Sequence, residues 1–211
     1  MGELSSDEGE VIFSKGITVG YLAQHQMLAS ENSIYEEVLT VKQDVIVLDQ
    51  TIRQLEHDMK TVTGPELERM LNTYTRLTHE FEIKNGYSYK SEVIGILKGL
   101  GFSEEDFTKS VSTLSGGQKT RIALGKLLLS TPDLILLDEP TNHLDMESIA
   151  WLETFLLNYN GAVVVIAHDR YFLNKVVTKV IELDNTKAAS FEGNYSAYAE
   201  KKAQQRETLI K

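Results

Sequence analysis

The segment Leu134-Ile135-Leu136-Leu137-Asp138-Glu139-Pro140 marks the centre of the fold. Its four consecutive apolar residues indicate a strand buried on both faces, which is typical of a central strand in a parallel sheet. A second continuous apolar run, Val163–Ala167, predicts a parallel neighbour. Between the runs, apolar residues at helical spacing over Met146–Tyr159 predict a helix that Asp145 can cap. Strand, helix and strand of this length form a βαβ unit, so we expect an α/β fold.

Two carboxylates follow the first run and predict chemistry at the edge of the sheet. Asp138 and Glu139 stand where the strand ends, and alternation along a strand points neighbouring side chains in different directions. Pro140 fixes the turn that follows. Open α/β sheets bind ligands outside the carboxyl ends of their strands. One carboxylate can therefore hold the hydration shell of Mg²⁺, while the other orients or deprotonates a water.

Two more polar side chains are expected at the same edge. The neighbouring run Val163–Ala167 delivers His168 beside both carboxylates if the two strands are parallel. Gln24 follows the apolar segment Ile17–Leu22, and it reaches this edge only if that segment runs alongside. A lone histidine is more often structural, so the interpretation of His168 depends on the predicted topology.

A second candidate site precedes a predicted helix over Lys119–Leu129. The sequence Leu114-Ser115-Gly116-Gly117-Gln118 offers a hydroxyl and unobstructed backbone N–H groups at the positive end of that helix. Such a helix start suits an anion, for example a terminal phosphate. The alternative, which is the commoner one for Ser-Gly-Gly alone, is a helix cap followed by a flexible turn.

The middle of the chain has apolar residues at alternating steps of three and four. This is the spacing of a coiled-coil seam, and it includes Val38, Val41, Val45, Leu48, Ile52, Leu55 and Met59. The pattern resumes after Thr63-Gly64-Pro65 and ends at Asn85-Gly86. We therefore expect an antiparallel helical hairpin over residues 34–85 that projects from the body, with a longer arm of about 30 residues or 45 Å. The alternative is that the seam packs on the body as ordinary core.

Strand pairs are also expected near both ends of the chain. Glu10–Phe13 and Ile17–Leu22 flank Ser14-Lys15-Gly16, which is typical of a short hairpin. Val176–Leu183 and Ala188–Phe191 predict a terminal pair of strands.

Composition excludes several classes of protein. The 211 residues include 21 basic and 31 acidic side chains and no cysteine. A disulfide scaffold, a cysteine nucleophile and thiolate metal sites are therefore excluded. No apolar run is long enough to span a bilayer, and we expect a cytoplasmic chain. The net charge of −10 argues against a protein that coats nucleic acid, although the residues from Gly193 onward are net basic.

Taken together, these segments resemble the ATP-binding cassette (ABC) superfamily. Leu114–Gln118 resembles its signature motif, residues 134–139 its Walker B motif and Asn142–Asp145 its D-loop. Gln24 and His168 resemble the Q-loop glutamine and the switch histidine. The resemblance implies a nucleotide-binding domain with a mainly parallel central sheet, a small antiparallel β part and a helical subdomain bearing an antiparallel coiled-coil arm.

The same resemblance implies cofactors and residue roles. The cofactors are ATP and Mg²⁺, with Glu139 and His168 as catalytic residues and Asp138 and Gln24 as metal ligands. The residues implied in nucleotide binding are Gln24, Leu114, Ser115, Gly116, Gly117, Gln118, Asp138 and Asp145.

Three stretches are similar to the ABC-F subfamily: Glu139–Asp145, Ala167–Leu173 and Glu192–Ser196. Proteins of this subfamily have two cassettes in one chain and no membrane domain, and they act on the ribosome as translation factors or antibiotic-resistance proteins. The resemblance implies a second cassette of the same polypeptide and the ribosome, through rRNA or tRNA, as partners. The alternatives are an ATP-binding subunit of an ABC transporter and a non-catalytic fragment that docks on the ribosome.

One element of the family pattern does not occur in the sequence. The Walker A motif, G-x-x-x-x-G-K-[ST], is absent, because the single Gly-Lys pair, Gly125-Lys126, is followed by Leu127. We therefore expect a first cassette cut just after its phosphate-binding helix, and a chain that is inactive as an ATPase by itself. The expected organisation is a partial ATPase core (residues 1–30), a helical subdomain (31–113), the core with signature, Walker B, D-loop and switch histidine (114–192), and the start of an inter-cassette linker (193–211).

Overall fold

A three-stranded parallel sheet lies at the centre of the fold. The computed structural model describes residues 10, 12–22, 28, 30–184 and 187–210, with side chains as far as Gln205. The sheet has the order β1-β2-β3, with β1 at Val19–Leu22, β2 at Leu134–Asp138 and β3 at Ala162–Ile166. Leu22 lies opposite Leu137, and Asp138 lies opposite Ile166. The predicted parallel sheet is confirmed.

The remaining elements are mainly helical. The α-helices of the described residues are α1 (Ile34–Leu39), α2 (Gln43–Asp58), α3 (Pro65–Ile83), α4 (Tyr89–Gly99), α5 (Gly116–Ser130), α6 (Met146–Leu157), α7 (Arg170–Val176) and α8 (Tyr195–Ile210). Short 3₁₀ turns cover Thr40–Lys42, Asp106–Thr108 and Val111–Thr113. The predicted terminal strand pair is present as β4 (Lys179–Asp184) and β5 (Lys187–Glu192), which pair antiparallel.

The two faces of the central sheet differ in burial. Ile135 and Leu137 of β2 are buried against the helices, in one core with Leu22, α4 and α5. On the opposite face, Val164 and Ile166 of β3 are 51% and 62% exposed. The prediction that β3 is buried on both faces is therefore wrong for the described residues. Hydrophobicity on both faces identified a parallel strand, but it did not show what covers each face.

The predicted helical arm is present, but its first helix is broken. The 3₁₀ turn at Thr40–Lys42 separates α1 from α2. The seam residue Val38 on α1 is fully buried in the main core, whereas Val45 and Ile52 on α2 form a separate small cluster with α3. At 1.5 Å per residue the longer helix, α3, spans about 28 Å rather than the expected 45 Å. The seam residues before Gln43 therefore belong to the main core, and those after it hold the hairpin together.

For the described residues, the prediction of a strand pair at the N-terminus is wrong. The turn itself forms, with Gly16 at φ +91° and the Ile17 N–H donating to the Ser14 carbonyl at 3.2 Å. The described residues before it are not in a strand, and Ile12 is 82% exposed. β1 pairs with β2 instead, and its last residue, Leu22, is buried in the main core. In the part of the chain that the structure describes, no helix is both long and apolar enough to cross a membrane.

Candidate catalytic edge of the sheet

The parallel pairing of β2 and β3 brings Glu139 and His168 into contact. The Glu139 N–H donates to the Ile166 carbonyl at 2.7 Å, which extends the ladder by one residue past the end of β2. The His168 backbone N–H donates to Oε2 of Glu139 at 3.2 Å, and Nε2 of its ring lies 3.3 Å from Oε1. The Glu139 residue is 9% exposed, whereas the His168 side chain is almost fully exposed. A buried proton acceptor therefore lies next to an imidazole that faces solvent.

A tight turn sets the direction of the Glu139 side chain. Glu139 has φ +49° and His143 has φ +69°, a left-handed backbone conformation that residues other than glycine rarely adopt. The Asn142 N–H donates back to the Glu139 carbonyl at 3.2 Å. Such backbone geometry persists only where its surroundings hold it, and it is concentrated at functional sites.

The turn leads into α6 through Asp145. Its carboxylate accepts the Ser148 N–H at 2.8 Å, which caps the first turn of the helix. Hydrogen bonds from Ser148, together with the nearby Arg121 charge, lower the pKa of Asp145. The predicted cap is confirmed, and it keeps an ionised carboxylate at the start of α6.

The signature segment begins α5 with a reciprocal capping box. The Ser115 hydroxyl accepts the Gln118 N–H at 3.3 Å, and the Gln118 side-chain oxygen accepts the Ser115 N–H at 3.0 Å. The helix cap is therefore confirmed. The N–H groups of Gly116 and Gly117 still lack intrahelical acceptors, and anion binding by them stays a prediction. A Cβ at Gly116 would meet nothing within 4 Å, so the approach to these N–H groups is open.

The signature segment lies against the turn that carries Glu139. A Cβ at Gly117 would lie 3.0–3.1 Å from atoms of the His143 side chain, so this glycine allows the close approach. Arg121, one turn further along α5, donates to the Leu100 carbonyl at 3.1 Å and lies over the Phe102 ring at 4.8 Å. Sequence reasoning missed His143 and Arg121 as neighbours of the site. The four-residue step from Gly117 to Arg121 was the available signal.

The other predicted site residues occupy several environments. Asp138 is the last residue of β2. It lies on the same face as Leu136 and is in register with Ile166 of the neighbouring strand β3. Leu114 packs against the main core rather than standing free. Gln24 lies outside the described residues, although its condition is met, because β1 runs parallel beside β2. Roles of these residues in binding nucleotide or metal stay predictions.

The residues at this edge are compatible with magnesium bound together with a phosphate. Within the described ranges, no group of three or more His, Cys, Asp and Glu side chains is arranged to hold a metal ion. Mg²⁺ commonly takes only one or two protein carboxylates and completes its shell with waters and substrate phosphates. Asp138, at the end of β2, can supply such a carboxylate.

Comparison with known proteins gives a consistent family. The family described as "ABC transporter" matches residues 1–142. The putative ATP-binding protein YdiF of Bacillus subtilis is 50% identical over 210 residues, which cover 100% of this chain and 33% of that protein. The energy-dependent translational throttle protein EttA of Mycobacterium tuberculosis is 38% identical, covering 94% of this chain and 35% of that protein.

A plant relative and a solved structure extend the comparison. ABC transporter F family member 5 of Arabidopsis thaliana is 35% identical, covering 98% of this chain and 30% of that protein. The complex of the archaeal ribosomal stalk protein aP1 with the ribosome recycling factor aABCE1 contains a similar fold, with a TM-score of 0.60 and 20% identity. The alignment covers 95% of this chain and 32% of that one. The chain spans about a third of the length of these relatives.

Proposed function

We infer that this chain, which belongs to the ABC transporter family, supplies one ATP-binding cassette of an ABC-F ATPase. The observation that carries the proposal is the Glu139–His168 contact at the carboxyl edge of a parallel sheet. Relatives of 35–38% identity include EttA and an ABC transporter F family member, which supports the ABC-F assignment. The full-length gene product would bind and hydrolyse ATP between this cassette and a second one.

The proposed roles follow from where each group lies. Glu139 accepts the proton of the attacking water, and its buried position restricts which water reaches it. Asp138 holds Mg²⁺, which supplies charge neutralisation on the phosphates when bound. The exposed imidazole of His168 contacts the nucleotide from the β3 side. The open N–H groups at Gly116 and Gly117 bind a terminal phosphate, with Asp145 fixing the adjacent turn.

The proposed site of action is the ribosome. One relative is named a translational throttle protein, and translation is therefore the process that we propose for this gene product, as a translation factor or in antibiotic resistance. We place it in the cytoplasm with rRNA, tRNA or both as partners. The acidic charge of the chain requires such docking to rely on local elements rather than on overall attraction to RNA phosphates.

Co-sedimentation separates this proposal from a transporter role. The full-length gene product is incubated with ATP and Mg²⁺ and then offered purified ribosomes or inverted membrane vesicles from the same cells. We expect it in the ribosome pellet, with less in the pellet when ADP replaces ATP. Recovery with vesicles and not with ribosomes would identify the ATP-binding subunit of a transporter. Ribosome binding that is equal with ATP, with ADP and without nucleotide would identify a docking module without a nucleotide-driven step.

A further inference from the structure

A groove of about 500 Å³ lies at the opposite edge of the sheet from Glu139. It is formed where β2 and β3 begin, and the residues that line it include Pro132, Asp133, Trp151, Phe155, Asn158 and Tyr159. Small-ligand and side-chain sites in proteins have similar volumes and combine apolar walls with a few polar groups. The strands separate this groove from the catalytic edge, so it is a different surface from the proposed ATP site.

Three aromatic rings form one wall of the groove. Trp151 and Phe155 lie on successive turns of α6, and Tyr159 lies just beyond the end of the helix. Neighbouring ring centroids are 5.4 Å and 6.1 Å apart. All three are half-buried, so part of each ring faces solvent. The indole lies so close to Gly99 that a Cβ there would come within 2.0 Å of it. The Tyr159 hydroxyl donates to the Pro132 carbonyl. The wall is therefore fixed by contacts at both ends.

A carboxylate stands at the edge of this wall. Asp133 accepts the Thr18 N–H at 2.8 Å and the Thr18 hydroxyl at 2.7 Å, both on Oδ2. These bonds lower the pKa of Asp133, so the groove has a fixed negative charge. Residues 131–161 include every residue that lines the groove, and they contain no lysine or arginine. The groove thus combines aromatic faces with one carboxylate, and no basic residue is among those that line it.

We propose that this groove binds an arginine side chain of a basic protein segment, with the guanidinium stacked on the aromatic wall and paired with Asp133. A guanidinium suits this combination because it is planar, always charged and weakly hydrated. It stacks on aromatic rings while its edge donates to a carboxylate. A lysine ammonium is a more strongly hydrated point charge and stacks less well. RNA is disfavoured here, since the Asp133 carboxylate would repel its phosphates and no basic residue lines the groove to pair with them.

The single tryptophan of the chain makes the groove directly observable. A blocked hexapeptide of alternating arginine and glycine is titrated into the chain while Trp151 fluorescence is recorded. Parallel titrations use the same peptide with lysine, the same peptide with uncharged citrulline, and an RNA hexamer. We expect a saturable change with the arginine peptide, at least about fivefold weaker binding of the lysine peptide, and no saturable change with the other two.

Two variants and a matched control test the site itself. Asp133→Asn keeps an oxygen that accepts both Thr18 bonds but removes the charge, and it should weaken arginine-peptide binding about tenfold. Glu147→Gln removes the same charge from the exposed start of α6, and it should change binding less than about twofold. Thr154→Arg places a guanidinium on the exposed rim of the groove, where it should compete with the peptide. Melting curves check that each variant is folded.

Several results would overturn the proposal. These are an unchanged Trp151 signal with the arginine peptide, equal binding of the citrulline peptide, and a stronger response to RNA than to the peptide. Equal weakening by Asp133→Asn and Glu147→Gln would show attraction to the whole acidic surface instead of a site. Unimpaired binding to folded Thr154→Arg would show that the peptide lies elsewhere.

Discussion

The sheet edge that carries Glu139 and the helical hairpin of α2 and α3 are held in place by different interactions. At the sheet edge, β2 pairs with a strand on each side, and backbone hydrogen bonds continue as far as Glu139. In the hairpin, the buried side chains Val45, Leu48, Ile52 and Phe81 form, with Tyr89 of α4, a cluster separate from the main core. Backbone pairing fixes position for almost any side chain, whereas a small cluster depends on every member.

Helix α1 lies next to the hairpin in sequence but belongs to the body. Ile34 and Val38 are fully buried in the main core. Glu37, which is 6% exposed, pairs with Lys126 on the signature helix α5 and also accepts from the Asn32 side chain at 3.1 Å. The boundary between body and hairpin is therefore the 3₁₀ turn at Thr40–Lys42.

Two deletions that differ only in where they begin and end test this boundary, and they have the largest expected effect. Replacing residues 44–84 by a short Gly/Ser linker should leave a folded body, because the two ends of the hairpin lie side by side: Nζ of Lys84 is 2.6 Å from Oδ2 of Asp44. Replacing residues 34–82 should prevent folding, because it removes Ile34 and Val38 from the core. Circular dichroism and a cooperative melt distinguish the two. A folded product from the longer deletion would show that α1 is part of the arm.

The ion pair between α1 and α5 is expected to have a smaller effect. Lys126→Met leaves the buried Glu37 carboxylate without its cation, so we expect the free energy of unfolding to fall by about 2 kcal/mol. Lys98→Met breaks an exposed pair with Glu104 and serves as the control, with little change expected. Urea denaturation of both variants gives the difference. Equal effects of the two substitutions would mean that α1 is not anchored through Glu37.

The weakest expected effect concerns the 3₁₀ turn at Asp106–Thr108, which packs beside α1. Phe107 of this turn stacks on Tyr35 of α1 with centroids 6.3 Å apart. The Lys109 ammonium, followed by the Ser103 N–H and hydroxyl, lowers the pKa of Asp106 from 3.8 to about 2. Because the folded-state pKa is the lower one, the contribution to stability is fully present above pH 3.8 and is lost as pH falls towards 2.

Asp106→Asn should remove that part of the acid sensitivity. Urea midpoints measured between pH 5 and pH 2 should fall less steeply for the variant than for the parent. Asp49→Asn, which removes a half-buried carboxylate that pairs with Arg53 in the hairpin, is the matched substitution. Parallel pH profiles for the parent and Asp106→Asn would contradict the assignment.

The difference between backbone pairing at the sheet edge and side-chain packing in the hairpin explains which features could be predicted from the sequence. Continuous apolar runs located β2 and β3, and the parallel pairing then placed His168 beside Glu139 without any knowledge of side-chain packing. The contact between Gly117 and His143 could not be predicted, because it depends on a left-handed turn between β2 and α6. The heptad pattern continued through Thr40–Lys42, so it did not show where one helix ends and the next begins.

The N-terminal segment shows the limit of local signals. Ser14-Lys15-Gly16 forms the turn that it predicts, but β1 pairs with β2 rather than with the segment before the turn. A turn signal specifies only the local backbone, and a strand also needs a partner that buries one face. The aromatic groove could not be predicted from apolar runs or from turn signals. The positions of Trp151, Phe155 and Tyr159 are equally compatible with side chains that pack into the core.

The central claim is that the β2–β3 ladder places Glu139 where it accepts the proton of the attacking water. The direct measurement is steady-state ATP hydrolysis by the full-length gene product and its Glu139→Gln variant, with ATP binding measured on both. The amide keeps an oxygen to accept the His168 N–H but cannot take up a proton, so we expect a rate at least about 100-fold lower with ATP still bound. Hydrolysis by the variant at the parental rate would show that Glu139 is not the base and would contradict the account.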